Sequence, residues 1–361
     1  MKFTIPANLL NEHALFASKA ISARPITPVM GGILIDASAE TVTLTGQDYT
    51  ETASTKVQAQ VEEPGRALVQ ARMLTDLLKK FRNRTVELHA VEGAVTLQAG
   101  SAVFNLPSMK FNDYPALADL PDIAGTVDGG ELAHAISMVS GAASTDDALP
   151  ILTSINVTAE GDELRFHATD RYRLAEIVIG WKSLGANFTV NLKGSWLSSI
   201  GKTAAGETHL LRTNSMFGIA SGQRVSTTGI VDGDFPNLST LFPADLEDLA
   251  DIDRSALSEA LDRVGGFVER GKAVRLHFTP GKVTLDGGTL DSGQGSETLA
   301  INYDGPELTA GFNVGYLAWS VNTLMTERIH IGPDQRRPAL IVPTAGATRH
   351  LVMPINLKED Q

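Results

Sequence analysis

"LTSINVTAEGDELRFHATDRYRLA", Leu152–Ala175, holds two runs that alternate apolar and polar residues with a period of two. Ile155, Val157 and Ala159 form one apolar set and Leu164, Phe166 and Ala168 the other, with Gly161 and Asp162 between them. The pattern predicts two strands joined by a tight turn. "GGILIDASAETVTLTGQD" (31–48) and "AVRLHFTPGKVTLDGG" (273–288) read the same way. Each pair follows an apolar pattern with helical spacing of three and four: Leu10, Ala14, Ala17, Ile21; Leu132, Ile136, Val139; and Leu257, Leu261, Val264, Val268.

Working outward, a second helix is expected after each strand pair, at "ARMLTDLLKKF" (71–81), "GSWLSSIGK" (194–202) and "NVGYLAWSVNTL" (313–324). The first would set Met73, Leu74, Leu77, Leu78 and Phe81 on one side. More strands follow, as in "TVELHAVEGAVTLQAGSAVFNL" (85–106). "NDYPAL", "GDFPNL" and "HLVMPINL" place Pro115, Pro236 and Pro354 about 120 residues apart. The chain reads as α+β, three copies of one helix–strand–helix–strand domain.

Composition narrows the function classes. With 361 residues, 43% hydrophobic and 20% charged, several well-buried cores are expected and long disorder is not. The absence of cysteine excludes disulfides, thiolate metal sites and cysteine nucleophiles, and suits a reducing cytoplasm. The N-terminus lacks the apolar core of a signal peptide, and no apolar run approaches the roughly 18 residues that span a bilayer. A cytoplasmic protein with no membrane partner is expected.

Catalytic motifs are missing. "GSWLSSIGKT" ends like a phosphate-binding loop, but Trp196 stands where that loop needs glycine, and Gly201 reads as the end of a helix. There is no G-x-S-x-G elbow and no H-E-x-x-H, and the eight histidines are scattered. His167 and Asp170 crowd beside arginines, yet on an alternating strand they would face opposite sides. No metal or cofactor is expected.

The net charge of −12 argues against nucleic-acid binding unless cations are concentrated on one surface. They do gather on the expected helices: Lys19 and Arg24; Arg72, Lys79, Lys80, Arg82 and Arg84; Lys193 and Lys202; and Arg254, Arg263, Arg270 and Lys272. Singly these are ordinary solvated faces. Together, lining one concave surface, they would attract a polyanion through its phosphates.

"MKFTI", "SARPITPVMGGILID", in which Arg24-Pro25 stands ahead of the first expected strand, "LPILTSINV", "ELRFHATDRYRLA", "GDFPNLSTLFP", "FNVGYL" and "HLVMPINL", in this order, resemble the bacterial β sliding clamp family along the whole chain. The resemblance implies three clamp domains, placed at 1–121, 122–246 and 247–361. It implies a head-to-tail homodimeric ring around double-stranded DNA, with helices lining the channel and antiparallel sheets forming the outer shell. It implies a non-catalytic processivity factor whose partners are the replicative DNA polymerase alpha subunit, the clamp loader and other proteins carrying a clamp-binding motif. Of the cations, Arg24, Arg72, Lys79, Lys80, Arg82, Lys193 and Lys202 would face DNA.

The family's peptide pocket, between the second and third domains, carries over position by position. One wall would come from Leu152, Thr169, Arg171, Tyr172, Arg173 and Leu174, and another from Pro236, Thr240 and Leu241. Leu340, Leu351, Met353, Pro354 and Ile355 would complete it. Arg171-Tyr172 departs from the Gly-His of other clamps. Leu149 and Asn356 stand where arginine is frequent in the family, and the tail Lys358–Gln361, beyond the family's usual end, is expected to overhang the pocket. An alternative is a divergent clamp-fold adaptor, a second copy or phage-encoded, with weakened DNA tethering. An enzyme using His167, Asp170 and the nearby arginines is the remaining rival.

Overall fold

The computed structural model describes residues 1–242, 249–332 and 337–357. The expected border at 246/247 and the tail 358–361 lie outside the described residues. All strand pairings among the described residues are antiparallel, in four sheets, and six α-helices accompany them: α1 (Ala7–Ala17), α2 (Ala71–Phe81), α3 (Gly129–Val139), α4 (Gly194–Ile200), α5 (Arg254–Gly265) and α6 (Val314–Thr323).

Every helix grows from the end of a strand. Lys2–Pro6 runs into α1, Gly65–Gln70 into α2 and Asp122–Asp128 into α3; Phe188–Lys193, Ala250–Asp253 and Leu308–Phe312 do the same for α4, α5 and α6. This corrects the order read from the sequence, since each helix comes after a strand and "MKFTI" is itself the first strand. Arg24-Pro25 therefore precedes the second strand, Gly32–Ser38. Short strands such as Ala250–Asp253 are too brief to show a period of their own beside a strong helical one. The junctions are capped where the sequence allows it. Asp253 accepts from the Ala256 amide at 2.8 Å, Asn313 from Tyr316 at 3.1 Å and Asp128 from Glu131 at 3.0 Å. At α1, which lacks such a cap, the Ala7 amide donates to the Arg84 carbonyl instead.

Two compact units emerge from the packing, and the division passes through the middle third: Met1–Ala133 with Trp181–Ala186 and Ser199–Ile230, and His134–Gly180 with Asn187–Ser198 and Val231–Gln361. The first unit holds a five-stranded sheet, in which Lys2–Pro6 and Thr85–Val91 are neighbours and Ala102–Pro107 is one edge, and a nine-stranded sheet. In the latter, Arg224–Gly229 pairs with Glu51–Gln58, joining strands of the middle and first thirds. The second unit holds an eight-stranded sheet, where Arg173–Gly180 pairs with Arg349–Val352, and a five-stranded sheet with Gly293–Ala300 at one edge. The middle third thus contributes strands to a sheet in each unit.

The helical spacing finds the core with few exceptions. Leu10, Ala14 and Ala17 of α1, Leu132, Ile136 and Val139 of α3, and Leu257, Leu261 and Val264 of α5 are buried. Ile21 and Val268 fall beyond their helices and are half-buried. On α2, Leu74 and Leu78 are buried, each stabilising the fold by about 1.5–3 kcal/mol. Leu77 and Phe81 are half-buried, whereas Met73 is exposed beside Arg72 and Asp76, against expectation. Gly201 begins a 3-10 turn, Gly201–Thr203, directly after α4, so no phosphate loop forms.

Gly46 shows how closely helix and sheet approach. A Cβ there would stand 2.3 Å from the Ala17 carbonyl oxygen at the end of α1, a backbone atom that cannot swing aside. Gly46→Ala is expected to destabilise the protein by about 1–3 kcal/mol, read as a lowered denaturant midpoint with an unchanged slope.

Candidate peptide-docking site

The "HATDRYRLA" segment ends one strand, Glu163–Thr169, turns, and begins the next, Arg173–Gly180. Asp170 braces the turn. One carboxylate oxygen accepts from the Tyr172 and Arg173 amides, both at 3.0 Å, and the other from Arg173 Nε at 3.0 Å. Thr169 Oγ1 donates to the Arg173 carbonyl and accepts from the Arg171 amide. Arg171 is held at φ 82°, a region that favours glycine. Here an arginine carries that strain.

Past the turn, Leu174 faces Leu351 on the neighbouring strand, and Leu351 faces Leu340 on the strand beyond. The three leucines make one row across the sheet and are nearly fully buried in a cluster with Leu238, Phe242, Val342 and Phe235. They form a floor. Beside it stand exposed apolar groups: Tyr172 is 53% exposed, Leu241 48% and Met353 39%. The Met353 amide donates to the Tyr172 carbonyl at 2.8 Å, which places these two together. Pro354 and Ile355 follow as a short strand on Leu308–Phe312 and are half-buried, while Pro236 and Thr240 are exposed. Leu152 is buried in the 3-10 turn Pro150–Thr153, whose carbonyl at Leu152 accepts from Ser144.

Several residues that sequence reading left out hold the wall in place. Tyr172 stacks on Tyr316 of α6, ring centres 6.0 Å apart. The Arg173 guanidinium lies 4.7 Å from both the Tyr316 and the Trp319 rings. Trp319 stacks at 4.7 Å on His350, which is fully buried and bonded to Ser320 Oγ and the Met138 carbonyl. Gly141 makes room for Trp319, since a Cβ there would sit 2.0 Å from the indole nitrogen. Each cation–ring contact is worth about 0.5–2 kcal/mol. "NVGYLAWSVNTL" signalled a helix with an apolar face, but nothing in it signalled which strand Tyr316 and Trp319 would meet.

Two residues along from the leucine row lies a charged one. Glu176, whose side chain is 3% exposed, faces Arg349 across the strands, and Arg349 donates from both Nε and Nη2 to its Oε1. His167 Nε2 and Arg165 Nη1 meet its other oxygen at 2.7 and 3.2 Å. Burial alone would raise the Glu176 carboxyl. The hydrogen bonds from His167 and Arg349, with their charges, outweigh it and hold the group at about 2. His167 is thereby engaged with Glu176 and Asp170 with Arg173, so the pair considered for acid–base chemistry is not brought together.

The expected DNA-facing cations are all exposed. Arg72, Lys79 and Lys80 share one face of α2 around Asp76, whose contacts to Arg72 and Lys79 are surface pairs of little worth. Arg82 ends that helix with φ 43°. Arg24 lies ahead of the turn Pro28–Gly31, Lys193 ends the strand before α4, and Lys202 sits in the turn after it. Others from the wider set are committed within the fold. Lys19 donates to the Ser199 carbonyl, Arg254 to the Thr326 carbonyl, and Arg263 binds Glu297 and Glu259. Among the described residues no cluster of three potential metal ligands occurs, and no helix is long and apolar enough to cross a membrane.

Comparison with known proteins matches three consecutive profiles of the DNA polymerase III beta subunit: the N-terminal domain at residues 1–118, the central domain at 126–237 and the C-terminal domain at 239–356. The beta sliding clamp of Micrococcus luteus is 40% identical over 83% of this chain and 98% of its own. That of Streptomyces coelicolor is 31% identical over 99% of this chain and 100% of its own. Among solved structures, the DNA polymerase sliding clamp from Bacillus subtilis superposes with a TM-score of 0.90 at 25% identity, covering 98% of this chain and 99% of that one. A Pseudomonas aeruginosa sliding clamp bound to griselimycin gives 0.91 at 24% identity, covering 98% and 99%.

Two buried titratable groups of this wall, Glu176 and His350, predict separate limbs of acid sensitivity. Burial lowers His350 from 6.5 to about 4, so the unfolded chain takes up its proton first and stability falls between those values as pH drops. Glu176, held at about 2 against 4.5, contributes fully above 4.5 and loses its contribution, on the order of 3 kcal/mol, as pH falls towards 2. In urea melts across pH, His350→Gln should flatten the upper limb and Glu176→Gln the lower. Unchanged slopes in both variants would contradict these assignments.

Proposed function

Because the chain belongs to the DNA polymerase III beta-subunit family, the sliding clamps, we propose that two copies close head to tail into a ring around double-stranded DNA. The three clamp domains, taken as 1–121, 122–246 and 247–361, would line the channel with helices and turn their sheets outward. DNA is held by enclosure and by loose attraction to phosphates, with no reading of bases. Arg24, Arg72, Lys79, Lys80, Arg82, Lys193 and Lys202 are the cations assigned to it. The protein does no chemistry; it tethers the replicative polymerase alpha subunit, in the cytoplasm, and so makes synthesis processive.

Ring closure is supported by two free sheet edges. Ala102–Pro107, in the first third, carries exposed Phe104. Gly293–Ala300, in the last third, has exposed Phe267 packed against Gly295. Unlike edges joined head to tail cover both and leave neither open to aggregation.

The observation that carries the partner reading is the Leu174–Leu351–Leu340 floor with Tyr172 and Met353 exposed at its margin. Apolar anchors beside a few polar groups suit short peptides from the polymerase, the clamp loader and other proteins with a clamp-binding motif. Such peptides bind at about micromolar strength, and two sites per ring let partners exchange.

Loaded by a clamp loader onto nicked circular DNA, the protein should stay bound through gel filtration and be released when the circle is cut. Retention after linearisation would remove the enclosure reading. Phe104→Asp should abolish retention on the circle and shift the protein to monomer, and Tyr172→Ala should weaken peptide binding about tenfold while leaving retention intact.

A further inference from the structure

A cavity of about 570 Å³ opens beside the leucine floor. Arg165, Arg349, His330 and the loop from Pro343 to Thr348 line it, with Glu176 in its wall. It adjoins the leucine cluster: Val342 belongs to both, and Phe242 of that cluster sets its ring 4.2 Å from the Arg349 guanidinium. Its size falls in the range of small-ligand pockets.

The charges do not balance. Two arginines and a histidine face one carboxylate, Glu176, which engages Arg349 through Nε and Nη2 and Arg165 through Nη1. That leaves Arg349 Nη1 and Arg165 Nε unengaged among the described residues. Glu163 reaches Arg165 Nη2 at 3.5 Å and Asp251 reaches His330 at 3.8 Å, both loose contacts. The sheet fixes the spacing. Leu174 and Glu176 are two residues apart on one strand face, as are Leu351 and Arg349 on the next, so the charged row lies about 7 Å from the apolar row.

We propose that this cavity receives a carboxylate carried by the peptide that docks on the leucine floor, two residues along the extended peptide from an apolar anchor. The inference rests on the docking reading above. An acid at that position would meet two guanidinium groups already held in place by Glu176, so little side-chain freedom is lost on binding. An amide there would gain no comparable contact. The cavity thus selects among docking peptides by charge, while the leucine row holds them all.

The test uses the full chain and two acetylated, amidated peptides of one sequence. Each carries two leucine anchors, and they differ only in an aspartate or asparagine two residues after the second. By fluorescence anisotropy the aspartate peptide should bind about tenfold more tightly. Arg165→Gln should cut that difference to about threefold without weakening the asparagine peptide, because His167 and Arg349 still satisfy Glu176, and Arg165→Lys should restore part of it. Equal binding of the two peptides overturns this inference and leaves the docking reading standing. Binding of neither removes the docking reading, and this inference with it. Free succinate should compete only at millimolar concentration; competition at micromolar concentration makes the cavity a small-molecule site and overturns the tethered form.

Discussion

The pairing of Arg173–Gly180 with Arg349–Val352 is the contact on which the proposed docking surface depends. It joins segments more than a hundred and fifty residues apart into one eight-stranded sheet. From its register follow both rows described above: Leu174 opposite Leu351, and Glu176 opposite Arg349. A slip of one residue would turn the leucines to the other face and place Arg173 and His350 where the floor now lies. The register is guarded on both faces. On one, Glu176 is buried and leaving its carboxylate without its partners would be expensive. On the other, His350 and Trp319 interlock over Gly141.

Much of this was legible in the sequence, and the limits have physical causes. Period-two alternation located the hairpins at 31–48, 152–170 and 273–288, because one face of each is buried and selection for burial is local. The helical faces were legible for the same reason. The strands that feed the helices were not, since four to seven residues next to a strong helical period carry too little pattern of their own. Met73 was misplaced because an unbranched apolar residue on an exposed helix face looks the same in sequence as one in the core.

For the docking wall, the braced turn at Asp170 was readable from local chemistry. The Tyr172–Tyr316 and Arg173–Trp319 contacts and the Glu176–Arg349 pair were not, because each joins residues far apart in sequence. Pro236 was named while its neighbours Phe235, Leu238 and Phe242, which cover the floor, were passed over. The charge crowding around His167 and Asp170 resolves into two ion-pair groups, one bracing a turn and one locking a register.

On the proposed function, a chain with net charge −12 would hold DNA by enclosure more than by affinity. The proposed ring requires that the sheet edges Ala102–Pro107 and Gly293–Ala300 of two copies meet. Light scattering of the purified full chain is the most direct measurement of that. A closed ring of two copies gives a mass of twice 38.4 kDa that persists on dilution through the micromolar range. A strict 38.4 kDa species at every concentration would contradict it.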